Sequence, residues 1–348
     1  MGSSQTIYAS VKSYSKRGQL LSRAELQTLA ESRDLEELLT RIKNTTYASA
    51  VSGIEKPYSS EKIESALRSH LADVHYSIAK TSGDSDILDA YYLRFLIRNL
   101  KIILKSKALN RTQEEAEIHL NLHAEELVKR RDVIVKALVS KDLEEAVASL
   151  GSTEFGDDAA KATALYNDKE NVQIFDTYFD RILYEQLGRA RVKERDRDVT
   201  RLVSMDIDFY NILSVIRGRF WNLDERQIQD LLVTPTPGAS KDLLSRMIGA
   251  ASVKDAFAEL AGTRYAGLVP QSDDEMDAIA TFERSFETAI FGACNNVFTK
   301  MFSFATTVGI TKLTTFEVQN LAAIAYAVEQ SIPAETVMSK LIVVDKQS

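Results

Sequence analysis

"DLEELLTRIKNTTYASA", Asp34–Ala50, decides the fold because the chain contains it three times. "DLEEAVASLGSTEFGDD" begins at Asp142 and "SVKDAFAELAGTRYAG" at Ser252, and the three align without gaps. Each opens on a residue suited to cap a helix, followed three residues later by an acid: Asp34 and Glu37, Asp142 and Glu145, Ser252 and Asp255. The first side chain can accept from the amide three residues on, and the acid can reach back to the amide of the cap. Apolar residues follow at Leu39 and Ile42, Val147 and Leu150, and Phe257 and Leu260, a spacing that puts each pair on one face of a short helix. A threonine and an aromatic then close each copy: Thr45 and Tyr47, Thr153 and Phe155, Thr263 and Tyr265.

A second block repeats in the same order. "RNLKIILKSKALNRTQEEAEIHL", "YNILSVIRGRFWNLDERQIQDLL" and "QNLAAIAYAVEQSIPAETVMSKL" align on Asn99, Asn211 and Asn320. Leu100, Ile212 and Leu321 follow the asparagines, and Ile103, Val215 and Ile324 come three residues later. Thirteen residues after each asparagine a new helix start is signalled, at Thr112, Asp224 and Pro333. Between the blocks lie the helical patterns "SSEKIESALRSHLADVHYSIA", "NVQIFDTYFDRILYEQL" and "DEMDAIATFERSFETAIFGACNNVF". The period is about 110 residues, well above that of solenoids, so each copy is a domain-sized helical bundle. The expected fold is all-α, with unit 1 at 1–125, unit 2 at 126–237 and unit 3 at 238–348. The one strand-like run is "LIVV" near the C-terminus, and it reads equally as a helix end or tail. "VTPTPGAS", Val233–Ser240, is the one segment rich in Pro, Gly and Ser. With so little linker, three like units are expected to form one rigid body.

The totals agree with this reading. The chain has 348 residues, 45% of them apolar, with 14 Gly and 5 Pro, a balance that favours helices. The net charge of −7 gives no electrostatic ground for general nucleic-acid binding. The single cysteine, Cys294 in "FGACNNVF", excludes an intramolecular disulfide and reads as a small buried residue. No apolar run reaches the roughly 18 residues of a membrane span. The N-terminus lacks the apolar core of a secretory signal. It matches the short myristoylation pattern through Gly2 and Thr6, yet "MGSS" is also a common artificial start.

Several residues stand out chemically. Arg94, Arg98, Lys101 and Lys105 are spaced 4, 3 and 4 apart and share one helix face. Unit 2 keeps only Arg217 and Arg219 after its asparagine, and unit 3 has neither. The full stripe is therefore dispensable for the fold and is a candidate contact for an acidic partner or lipid headgroups, against the alternative of a solvated face. Charge reversal at Arg98 and Lys101 is expected to weaken assembly and leave helicity intact. Asn99, Asn211 and Asn320 are polar residues in apolar surroundings, so each is expected to make a structural side-chain hydrogen bond. His119 and His123 lie four apart on an expected helix, with Glu115 extending the face, and could begin a zinc site that lacks a third ligand. "GTRYAG" has P-loop glycine spacing, but Leu268 and Val269 replace the lysine and hydroxyl residue. No catalytic residue, cofactor site or metal site emerges. A metal enzyme centred on the histidines and a nucleic-acid binder working through the stripe remain weaker alternatives.

The chain resembles the V-type ATPase family of C/d subunits, which includes the C subunit of archaeal A-type ATP synthases. The likeness is carried by "YASVKSYSKRGQLLSRAELQTLAE", the capped helices with their Thr-x-Tyr, the three asparagine-centred helices and "EVQNLAAIAYAVEQSIPAETVMSKLIV". It implies three similar helical domains around a pseudo-three-fold axis, forming a funnel. It also implies a non-catalytic subunit on the cytoplasmic face of a membrane rotor ring. Central stalk subunits would dock into the funnel, and torque would pass between ATP chemistry and proton or sodium movement. The competing reading is an unrelated triplicated helical scaffold or adaptor.

Overall fold

The computed structural model describes residues 3–343; it is 74% helical and has no strand among the described residues. Gly2 and Val344, the last residue of "LIVV", lie outside the described residues. The chain forms two compact units. One comprises the residues up to Ser85, then Asn121–Val128, then those from Phe291 on; the other comprises Asp86–Leu120 and Lys129–Ile290.

In the first unit the end of the chain packs with its beginning. The helix Phe304–Glu329 is apolar on nearly every side, the pattern of a buried helix. It lies against Ser3–Gly18, Arg23–Ala30, Leu35–Ile42 and Ser60–Ser82. Its buried threonines satisfy themselves locally: Thr311 Oγ1 donates to Thr307 O and Thr314 Oγ1 to Ile310 O, both at 2.9 Å. Gly309 permits a close approach, since a Cβ there would meet Val297 Cγ2 at 2.9 Å and Cys294 O at 3.0 Å. Cys294 is fully buried, as its apolar context indicated.

The second unit is built on two further asparagine helices. Asp86–Ala108 runs beside Gln173–Lys193 and also touches Arg131–Val139 and Leu143–Leu150. Arg197–Phe220 packs against Gln173–Lys193, Glu225–Leu231, Lys241–Gly249 and Val253–Ala258. Stacked rings fill the spaces, with centroids 6.2 Å apart for Phe155 and Phe179 and 4.8 Å for Phe209 and Phe286. Burying a ring as fully as those of Phe155, Phe179 and Phe286 contributes about 1.5–3 kcal/mol each.

The repeated motif takes the same local structure three times. Asp34 accepts from Glu37 N at 2.8 Å, Asp142 from Glu145 N at 2.9 Å and Ser252 from Asp255 N at 3.1 Å. The reciprocal bond differs from expectation. Glu37 and Glu145 reach one residue past the cap, accepting from Arg33 N at 3.1 Å and Lys141 N at 2.7 Å, while Asp255 accepts from the Ser252 hydroxyl at 2.8 Å. The longer Glu side chain spans the extra residue and Asp does not. At the other end, the hydroxyls of Thr45, Thr153 and Thr263 donate to Ile42 O, Leu150 O and Leu260 O at 2.7, 2.7 and 2.8 Å. The same hydroxyl oxygens accept from the amides of Tyr47, Phe155 and Tyr265 at 3.1, 3.2 and 3.0 Å. The Thr-x-aromatic signature is thus a helix-exit clamp that aims the aromatic ring inward; all three rings are buried. Of the six apolar positions between cap and clamp, Val147 alone is half-buried and the rest are buried. The later starts also stand where expected, with Thr112 and Asp224 forming capping boxes and Pro333 immediately before Ala334–Met338.

Candidate partner-contact site

The basic stripe is largely engaged within its own unit. Gln173–Lys193 brings two carboxylates to its side of Asp86–Ala108. Lys101 Nζ donates to Asp180 Oδ1 at 2.6 Å and lies 3.8 Å from Asp176 Oδ1; Lys105 Nζ donates to Asp176 Oδ2 at 2.7 Å. The Lys101 side chain is only 17% exposed, and these pairs join the two helices. Arg94 Nε donates to Tyr91 O at 2.8 Å, and its guanidinium carbon sits 5.3 Å from the centre of the Tyr91 ring. Burial pushes its pKa down, while Tyr91, Asp206 and Tyr184 act in the opposite sense. A cleft of about 560 Å³ runs along the stripe, with Arg98, Arg111 and His119 lining it beside Asp176 and Asp180. The basic groups outnumber the two carboxylates, so the cleft keeps a positive character.

Arg217 and Arg219 are also tied down. Arg217 Nη2 donates to Glu283 Oε1 at 2.7 Å, and Arg219 Nη2 donates to Ala251 O at 3.2 Å, just past the end of Lys241–Gly249.

The asparagines act as clasps. Asn211 Oδ1 accepts from Val233 N at 3.0 Å and its Nδ2 donates to Val233 O at 3.3 Å. Asn320 repeats the arrangement 22 residues on, accepting from Ile342 N at 3.1 Å and donating to Ile342 O at 3.0 Å. An amide side chain matches a backbone peptide donor for acceptor, which is why asparagine serves here. Asn99 is equally buried.

A second polar latch is one that the sequence reading missed. Three residues before Asn211 and Asn320 stand Asp208 and Glu317, both buried. Asp208 accepts from the Tyr265 hydroxyl at 2.5 Å and from Ala239 N at 3.1 Å. Glu317 accepts from the Tyr47 hydroxyl at 2.8 Å and from Leu21 N at 2.6 Å. Burial first, and then the carboxylate, push both tyrosines well above the ordinary range, so they remain donors. Asp208 also accepts from Thr236 Oγ1 and from Arg264 Nη2. The apparent linker Val233–Ser240 is therefore pinned by Asn211 and Asp208. The signal for this latch lay in the repeat alignment. Where the clamp carries a tyrosine the matching position is acidic; where it carries Phe155 the matching position is Leu96.

The histidines do not share a helix. Gln113–Glu117 ends before His119, and His123 opens the separate helix His123–Leu127. His123 Nε2 instead pairs with Asp73 Oδ1 at 2.8 Å. The i, i+4 spacing therefore does not deliver two ligands on one face.

The sequence matches the model of the family described as ATP synthase (C/AC39) subunit over residues 9–340. It is 25% identical to the C subunit of the A-type ATP synthase of Methanocaldococcus jannaschii, covering 96% of this chain and 86% of that protein. The corresponding proteins of Thermococcus kodakarensis and Pyrococcus abyssi are 25% and 22% identical, covering 80% and 95% of this chain and 74% and 88% of theirs. With a helix-exit clamp that recurs three times, a clasp at Asn211 and at Asn320, and a family match over residues 9–340, the chain belongs to the ATP synthase (C/AC39) subunit family.

Proposed function

We propose that this chain is the coupling subunit of a rotary V/A-type ATPase, joining the central stalk to the membrane rotor ring and transmitting torque for ATP-linked proton or sodium transport. The carrying observation is the family match over residues 9–340. As a member of that family, the chain is a non-catalytic subunit of the complex. No helix among the described residues is long and apolar enough to cross a membrane, which suits a part that sits on a ring, at the cytoplasmic face. In this reading the three repeats, 1–125, 126–237 and 238–348, stand about a pseudo-three-fold axis and form a funnel. Torque transmission needs stiffness within each bundle, and the clasps at Asn211 and Asn320 and the pinned Val233–Ser240 segment supply it. The stalk and ring contacts are assigned to the positive cleft, through Arg98 and the outer edges of Arg94, Lys101 and Lys105, with Arg217 and Arg219 as secondary candidates.

The test is purification of the native complex through a tag on this chain. Stalk and ring subunits are expected to co-purify, and the chain alone is expected to turn over no ATP. Recovery without either set of subunits would overturn the reading in favour of an unrelated scaffold.

A further inference from the structure

A second basic site lies elsewhere in the Asp86–Leu120 and Lys129–Ile290 unit, with no equivalent among the residues considered above. Five arginines, Arg191, Arg197, Arg201, Arg246 and Arg264, line an open pocket of about 590 Å³, and no acidic residue lines it. They come from different elements: the end of Gln173–Lys193, the start of Arg197–Phe220, Lys241–Gly249 and the segment after Glu259–Gly262. Two are neutralised from behind. Arg246 Nε donates to Glu259 Oε2 at 2.7 Å, and Arg264 pairs with the buried Asp208. The other three have no ion pair among the described residues. Arg191 Nη1 reaches Ser204 Oγ at 3.5 Å, and its buried Nε lacks a partner. Arg197 and Arg201 are exposed and one helical turn apart. In a chain of net charge −7, three such guanidinium groups gathered at one mouth repel one another until a complement arrives.

We infer that this pocket receives an acidic segment of a partner protein, with Asp or Glu carboxylates bridging Arg191, Arg197 and Arg201. A planar guanidinium takes a carboxylate bidentately, and two arginines one turn apart suit carboxylates spaced along a chain. A compact polyphosphate fits less well. The amides it would seek at the two nearby helix starts are already capped, those of Asp198 and Val199 by Asp196 and that of Leu243 by Ser240. Arg264, paired with Asp208 and lying 5.0 Å from the centre of the Tyr265 ring, forms one wall of the pocket. The inference is independent of which assembly the chain serves.

The test is titration of the full chain with labelled hexaglutamate, followed by fluorescence anisotropy, with pyrophosphate as competitor. Wild type is expected to bind the peptide, with affinity falling as salt rises from about 50 to about 200 mM. The Arg197→Gln/Arg201→Gln variant is expected to bind at least about tenfold more weakly, equivalent to about 1.4 kcal/mol. Circular dichroism is expected to show an unchanged fold, because both side chains are exposed. Arg226→Gln, at another exposed position, is expected to bind as wild type does. No binding by wild type, undiminished binding by the double variant, equal loss in Arg226→Gln, or displacement by pyrophosphate at concentrations below those of the peptide would each overturn the inference.

Discussion

Buried acids do most of the specifying at the scale of single residues. Asp208 gathers Tyr265, Thr236, Ala239 and Arg264 around one carboxylate, and Gly238 crosses directly over it. A Cβ on Gly238 would run into Arg264 Nη2 and Asp208 Oδ2. Gly238→Ala is therefore expected to break the Asp208–Arg264 pair and cost about 1–3 kcal/mol, read as a lower midpoint in urea. Tyr47→Phe is expected to cost a similar amount by leaving Glu317 one donor short. The second repeat suggests the compensation, since Phe155 and Leu96 stand where the tyrosine and acid do elsewhere. Tyr47→Phe combined with Glu317→Leu is then expected to cost less than the sum of the single changes. Strict additivity would show that the hydroxyl and carboxylate do not act as a pair. Outside the core, Arg33's side chain and amide, together with Arg41, hold the Glu37 carboxyl down at about 2. A lowered carboxyl pKa stabilises the fold above the ordinary carboxylate range and loses that contribution as pH falls towards about 2. An NMR titration is expected to show Glu37 protonating well below an ordinary glutamate.

The asparagine helix is the organising element. Each carries a clasp or a buried asparagine in its middle, and those at 211 and 320 hold an extended piece of chain 22 residues on. Asn211→Asp keeps the acceptor for Val233 N but offers no proton to Val233 O, so it is expected to free the following segment. Faster amide exchange at Val233 and Ala239, with the helix itself still protected, is the expected result. The caps, clamps and asparagines were legible because they recur at a fixed period. The partners of Lys101 and Lys105 were not, because Asp176 and Asp180 lie more than 70 residues away on a helix whose facing side no local pattern announces. The histidine pair misled because nothing in "EIHLNLHAEE" marks a break: no Gly or Pro stands there, and the helix nonetheless stops at Glu117. Charge reversal at Lys101 now carries a different expectation. A glutamate there would face Asp176 and Asp180, so Lys101→Glu is expected to loosen the two helices as well as weaken assembly.

For the whole molecule, a helix from the end of the chain sits among helices from its beginning, so the first unit closes only when the last repeat is present. The central claim, that this chain couples rotation to transport, is tested most directly by reconstituting the membrane complex with and without it and recording ATP hydrolysis and ion pumping together. Loss of pumping with hydrolysis retained, restored on adding the chain back, is the expected result; pumping that persists in its absence would contradict the account.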